Sequence, residues 1–328
     1  MLKVKDLGKT GSGKSALICG SVAYDTILLF PDRFKAHILP DKIHMLNVAF
    51  LVPEMRREFG GCAANIAYNL QLLGDSAIPM AAAGEDFAPY RQRLVSLGIS
   101  VEHIVEIPKS FTAQAFITTD LDDNQITAFH PGAMQFAHQN RVSDVADSVD
   151  LGIVAPDGRQ AMMEHAAQFA AANIPFIFDP GQGLPMFSGD ELKTFIGQAR
   201  WVAVNDYEWE LMQQKTGFKV SDVTERVEAL IVTRGAEGSV IYTKGQELAI
   251  PCAKPLAVVD PTGCGDAYRA GLIHGLLWRR DWATIGRVAS LLGAIKIESR
   301  GPQNHCFTIE AFKQRFADNW GAKFSIGE

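Results

Sequence analysis

Short apolar runs recur through the second half of the chain, separated by stretches with helical spacing. Residues 151–155, 174–178, 201–204, 229–233 and 239–242 are strand-length apolar runs, the pattern of strands covered on both faces. An earlier run at residues 16–20 has the same character. Strands alternating with helices predict an α/β protein with a doubly wound, mostly parallel sheet and helices on both faces. Asp157, Asp179, Asn205 and Arg234-Gly235 stand where four of these runs stop. The ligand crevice of an open α/β sheet lies beyond the carboxyl ends of its strands, so these polar residues are expected at one edge. The ordinary polarity of loops explains each singly, but the set less well.

Two segments break this rhythm. Residues 22–60 carry few helix signals and alternate at 48–52. Residues 112–119 also alternate, and a turn at Asp122-Asp123-Asn124 leads to a return strand at 125–129, a hairpin pattern. Two separated β-rich excursions could form a small sheet over the crevice. The expected organisation is a flexible tail at 1–15, an α/β core from 16–22, 61–108 and 133–328, and a β lid from 23–60 and 109–132.

Composition narrows the function classes. The 328 residues, 47% hydrophobic and 21% charged, are those of an ordinary soluble globular chain. A net charge of -6 offers no basic excess for a nucleic acid polymer. No stretch is long and apolar enough for a membrane span, and the N-terminal residues lack the apolar core of a signal peptide. The five cysteines are scattered without C-x-x-C spacing, which argues against a disulfide framework or zinc site and suits a reducing cytoplasm.

Two glycine-rich turns carry the candidate chemistry. Asp260-Pro261-Thr262-Gly263-Cys264-Gly265-Asp266 opens a small-residue helix. Glycines there let consecutive N–H groups converge at a helix N-terminus, where the dipole favours an anion. Asp266 at its edge could accept a proton, so the run suits moving a phosphoryl group onto a hydroxyl. Gly60-Gly61-Cys62-Ala63-Ala64-Asn65 leads into a helix closed by Gly74. There the glycines permit close ligand approach, and the Asn65 amide suits a hydroxyl-rich ligand; a tight strand-to-helix turn with a solvated Asn65 remains the alternative. A competitor stands at Gly8–Ser15, which fits G-x-x-x-x-G-K-[ST]. That motif requires a following helix, whereas residues 16–20 read as a strand. A flexible Gly/Ser/Lys tail, native or left from cloning, fits the context better.

Taken together, these motifs resemble those of the PfkB family of carbohydrate and nucleoside kinases, with its ribokinase-like fold. The resemblance rests on the 60–65 and 260–266 runs and on Asn205-Asp206-Tyr207-Glu208, in the family's order, and covers the chain from about Ala16 onward. It implies phosphorylation of a hydroxymethyl group using ATP and Mg2+, and leaves activation by a monovalent cation open. By resemblance Asp266 is the base, and the N–H groups of Gly263, Cys264 and Gly265 form the anion hole. Asn205 and Glu208 hold magnesium largely through water; a capping box is the structural alternative, and both can hold. Asp25 grips two sugar hydroxyls, unless it is only a turn residue. Thr233, Gly235 and Gly238 lie near ATP in a stretch that could also be a glycine hairpin, and residues 301–304 border adenine. Cys264 replaces the usual alanine and Pro261 a common threonine; no histidine is adjacent to activate the thiol.

The acceptor rests on the lid. Residues 125–134 look similar to the segment of bacterial and archaeal adenosine and nucleoside kinases. Phe129 and Met134 could cover a purine, although Phe129 could equally be lid core. The expected acceptor is a nucleoside, adenosine or a broad range, bound by Asp25, Gly60, Gly61, Asn65, Phe129 and Met134. A ribose or fructose kinase is second, and a non-catalytic nucleoside-binding protein is the alternative of another class. A monomer or homodimer is expected.

Overall fold

A computed structural model describes residues 14–38, 45, 47–122, 124–322 and 324. Most of the Gly8–Ser15 octapeptide, part of the expected lid at 39–44 and 46, and Asp123 of the expected turn lie outside the described residues. In chain order the strands are β1 Ser15–Cys19, β2 Ala23–Leu29, β3 Glu54–Gly60, β4 Ser76–Ala83, β5 Ile104–Glu106, β6 Ala113–Thr119 and β7 Gln125–His130. They continue as β8 Leu151–Val154, β9 Phe176–Phe178, β10 Trp201–Asn205, β11 Ala229–Thr233, β12 Ser239–Thr243 and β13 Gln246–Ile250.

Nine strands form one sheet in the order β13-β12-β11-β10-β9-β8-β1-β4-β5. From β11 to β5 neighbours run parallel, and β12 and β13 add an antiparallel edge. β1, β8 and β10 are buried almost throughout, as continuous apolar runs covered on both faces should be. On one face Ile66, Leu70, Leu272, Leu291, Phe312 and their neighbours pack from four helices, Cys62–Leu73, Cys264–Leu277, Trp282–Ile297 and Ile309–Trp320. On the other face the core includes Met162, Phe169, Leu192, Phe195 and Met212, from helices Arg159–Ala171, Gly189–Gln198 and Asp206–Thr216. The doubly wound reading holds. The strand order reverses where β1 lies between β4 and β8, the kind of point at which such sheets open a crevice.

The remaining strands form a second sheet, β3-β2-β6-β7. Its hairpin, β6 with β7, pairs Thr119 with Gln125 next to the turn. The alternating run at 48–52 forms no strand; the strand lies later, at β3. Glu54, Arg56, Arg57 and Glu58 make β3 a charged edge strand, which hydrophobic alternation cannot reveal. The expected tail also ends sooner. Ser15 is the first residue of β1, its N–H donates to Asp150 Oδ2 at 2.9 Å, and the Lys14 ammonium donates to the Leu277 carbonyl at 2.6 Å. Ser15 thus enters a strand, the wrong continuation for a nucleotide-binding loop.

Candidate active site

The 260–266 run reaches its shape through a turn. Cys264 N–H donates to the Pro261 carbonyl at 3.1 Å, and Gly263 between them has φ 80° and ψ 4°. This is the third position of a type II turn, which demands the left-handed region and therefore glycine. A Cβ at Gly263 would also stand 2.6 Å from Pro302 Cβ. The Cys264 N–H, expected in the anion hole, here donates within the turn. Among the described residues, no protein acceptor takes the N–H groups of Gly263 or Gly265. A Cβ at Gly265 would meet only Arg269 Nη1, at 3.8 Å, so the protein leaves space there. The opening lies at the N-terminus of helix Cys264–Leu277, where N–H groups and the dipole favour an anion.

Asp266 lies in the first turn of helix Cys264–Leu277. Asn65 Nδ2 donates to its Oδ2 at 2.8 Å. Burial pushes the Asp266 carboxyl up to about 6; Asn65 and Arg269 pull it down, and the Asp179 carboxylate pushes it up. A base near that value is ionised at neutral pH yet still able to take a proton.

Asn65 is buried, and both ends of its amide are held by protein. Gln303 Nε2 donates to its Oδ1 at 2.9 Å, so its NH2 must face Asp266. The same Gln303 nitrogen reaches Tyr90 Oη at 2.6 Å, and Tyr90 donates to the Gly60 carbonyl at 2.7 Å. A hydrogen-bonded chain therefore joins the candidate base to the end of β3. Asn65, expected to offer its amide to a ligand, thus spends one donor and one acceptor on protein, and Gln303, expected near adenine, contacts Asn65. Sequence reasoning missed the partnership because Gln303 and Asn65 are 238 positions apart.

The neighbouring glycine turn is equally constrained. Gly61 has φ 91°, and a Cβ there would lie 2.6 Å from both Ala23 N and the Ser21 carbonyl. A Cβ at Gly60 would stand 2.5 Å from Asp25 Oδ2, so that glycine makes room for the carboxylate. Asp25 lies on β2, opposite Glu58 on β3 and Ala115 on β6; Ala115 in turn pairs with Phe129 on β7. Alternation puts Glu58, Asp25, Ala115 and Phe129 on one face of the small sheet. That face meets the core: Arg56 lies 3.8 Å from Asp260 Oδ2, and Asn304 Nδ2 donates to Glu58 Oε2 at 2.9 Å. Burial, with Glu58 and Asp260 nearby, raises Asp25 to about 6. Phe129 is 52% exposed, an aromatic ring open to a ligand and not lid core. Met134 falls in the turn region after β7, where its carbonyl limits Gly158 beyond β8.

A second cluster lies along the same sheet edge. Asn205 and Glu208 form a capping box: Glu208 N–H donates to Asn205 Oδ1 at 2.7 Å, and Asn205 N–H to Glu208 Oε2 at 2.8 Å. Thr233 pairs with Asn205 across β11 and β10. Gly235, with φ 54°, has open space around it, whereas a Cβ at Gly238 would collide with the Ile250 carbonyl, so Gly238 serves the hairpin. Arg269 was missed by sequence reasoning, though a lone arginine one turn beyond Asp266 in a small-residue helix is a usable signal. Its Nε and Nη2 grip Asp179 at 3.0 Å each, and Nη2 lies 3.9 Å from Glu208. Burial and Asp179 raise the Glu208 carboxyl above its usual range, partly offset by Arg269. Among the described residues, no three His, Cys, Asp or Glu side chains gather into a metal cage. Glu208 with Asn205 suits a hard cation that keeps its waters and leans on phosphate oxygens. Asp157, after β8, is buried with its Oδ2 unpartnered, and burial raises it to about 8 despite the Gly158 N–H.

The sequence pattern of the pfkB family of carbohydrate kinases matches residues 34–309. A nucleoside kinase of Methanocaldococcus jannaschii is 33% identical over 271 residues, 82% of this chain and 89% of the relative. A Burkholderia thailandensis nucleoside kinase solved with inosine is 50% identical, covers 94% of this chain and 99% of its own, and superposes with a TM-score of 0.86. The same enzyme solved with ADP-inosine superposes with a TM-score of 0.83, covering 94% of this chain and 97% of its own at 50% identity. With its two glycine turns, its paired sheets and this breadth of match, the chain belongs to the pfkB family of carbohydrate kinases.

Proposed function

We propose that this protein transfers the γ-phosphoryl group of ATP to the 5′-hydroxyl of a nucleoside. The observation that carries the reading is Asp266: a carboxylate raised to about 6, aimed by Asn65, beside free N–H groups at a helix start. Asp266 takes the proton of the attacking hydroxyl. The N–H groups of Gly263 and Gly265 stabilise charge on the transferring phosphoryl group, with the helix dipole behind them. Asp25 accepts hydrogen bonds from the ribose hydroxyls, and Gly60 and Gly61 let the sugar approach the backbone. Phe129 stacks on the base, with Met134 beside it. Thr233 and Gly235 border ATP. Magnesium would be held by Asn205 and Glu208 through water and would neutralise phosphate charge.

The nucleoside reading is supported by the inosine-bound relative and by the exposed ring of Phe129 on the Asp25 face of the small sheet. The test is a coupled ATP-consumption assay with adenosine, inosine, guanosine, cytidine, ribose and fructose, followed by product identification. Nucleoside-dependent turnover giving a 5′-monophosphate supports it. Turnover only with free sugars makes the enzyme a sugar kinase, and nucleoside binding without turnover makes it a binding protein.

A further inference from the structure

Lys296 is fully buried, in the last turn of helix Trp282–Ile297, and the chemistry described above does not use it. Its ammonium donates to the Asp260 carbonyl at 2.7 Å and to the Ser299 carbonyl at 3.0 Å. Among the described residues, no carboxylate lies within 4.0 Å of it, so this is a buried cation held by backbone carbonyls and a helix C-terminus. Burying an ammonium is costly unless its surroundings compensate, which makes its position a specific feature of the site.

The two carbonyls belong to the two loops that build the phosphoryl-transfer site. Asp260 immediately precedes the turn containing Gly263, and its Oδ1 accepts from Thr262 N–H at 2.9 Å. Its Oδ2 accepts from Gly301 N–H at 2.9 Å. The 299–303 segment supplies Pro302, which packs on Gly263, and Gln303, which orients Asn65. The titratable groups that interact with Lys296 are Cys264, Asp260, Arg56 and Glu58, with His305 also within its field. Carbonyl oxygens converging on a cation are also how proteins hold alkali ions, by replacing the hydration shell. Here that position is filled by the chain itself.

We propose that the Lys296 ammonium stands in for a monovalent cation, clamping the 260–265 turn to the 299–303 loop, so that this enzyme needs no alkali ion at that point. Lys296 is a positioning residue, acting through Gly263 and through Gln303 and Asn65. The inference rests on the kinase reading above, which supplies its activity assay.

The experiment compares wild type and Lys296→Ala in potassium, ammonium and tetramethylammonium chlorides at equal ionic strength. Wild type should show the same kcat and melting temperature in all three. Lys296→Ala should lose at least tenfold in kcat in tetramethylammonium, with nucleoside KM changed far less. Potassium or ammonium should recover several-fold of that loss and raise its melting temperature, because either fits between the vacated carbonyls. Several-fold faster wild-type turnover in potassium than in tetramethylammonium would overturn the proposal. So would a Lys296→Ala protein that is fully active without a small cation, or folded and impaired but rescued by none. If Lys296→Ala does not fold, the wild-type salt comparison still decides. A wild type inert toward every nucleoside would instead remove the kinase reading, while the melting temperatures would still test the cation site.

Discussion

Replacing Asn65 by alanine removes one donor from Asp266 and leaves the hydrogen bonds of the 260–264 turn in place. The bond lost is the 2.8 Å contact from Nδ2 to Asp266 Oδ2. A hydrogen bond to a charged group contributes about 1.5–3 kcal/mol, and 1.36 kcal/mol corresponds to one pH unit. The bond favours the ionised carboxylate, so its loss raises the pKa of Asp266 from about 6. The working form of the base is the ionised one, and activity is lost as pH falls through its pKa. The acid limb of kcat/KM for the nucleoside should therefore move upward by about 1–2 pH units. Activity at pH 7 should drop several-fold or more and recover in part toward pH 9. The Gln303 amide also loses one of its two acceptors, keeping Tyr90, at a cost of about 1 kcal/mol of stability, which a denaturation curve reads separately. The assay is the pH dependence of kcat/KM between pH 5 and 9 under saturating ATP. An acid limb that stays where it is in wild type, whatever the drop in rate, refutes the assignment of Asn65 to Asp266.

Other consequences follow from the same geometry. Glu58 helps raise Asp25 toward about 6, so Glu58→Gln should lower that value. The pH below which nucleoside KM rises would then move down, as KM profiles at pH 5 to 7 would show; an unchanged profile separates Glu58 from Asp25. Arg269→Met strips the buried Asp179 of its partner and should cost about 3–5 kcal/mol in urea unfolding, whereas an exposed pair would cost under about 1. Deleting residues 2–13 should leave kcat within about twofold; abolished turnover would restore the N-terminal octapeptide as a nucleotide site.

Much of the fold was legible because its central strands are apolar on both faces. β8, β10 and β11 announce themselves as continuous runs, and Gly74, with φ 84°, ends its helix as the sequence indicates. β3 was not legible, because its charges serve the crevice and the edge together and erase the alternation. The site divides in the same way. The glycine turns and Asp266 are local motifs, readable because backbone geometry fixes their residue types. Gln303 with Asn65, Arg269 with Asp179 and Lys296 with Asp260 are partners across 238, 90 and 36 positions, and no spacing rule marks the partner even where the residue itself, as with Arg269, stands out. Cys264 shows a further limit: the motif suggests three N–H groups for an anion, yet the middle one donates to the Pro261 carbonyl within the type II turn.

The most direct test of the account compares wild type and Asp266→Asn for inosine-dependent ATP consumption, with the product identified. Asparagine keeps the size and the contact with Asn65 but cannot take the proton. The account predicts a 5′-monophosphate from wild type and a kcat lower by about two to four orders of magnitude in the folded variant. A folded Asp266→Asn protein turning over near the wild-type rate would contradict it.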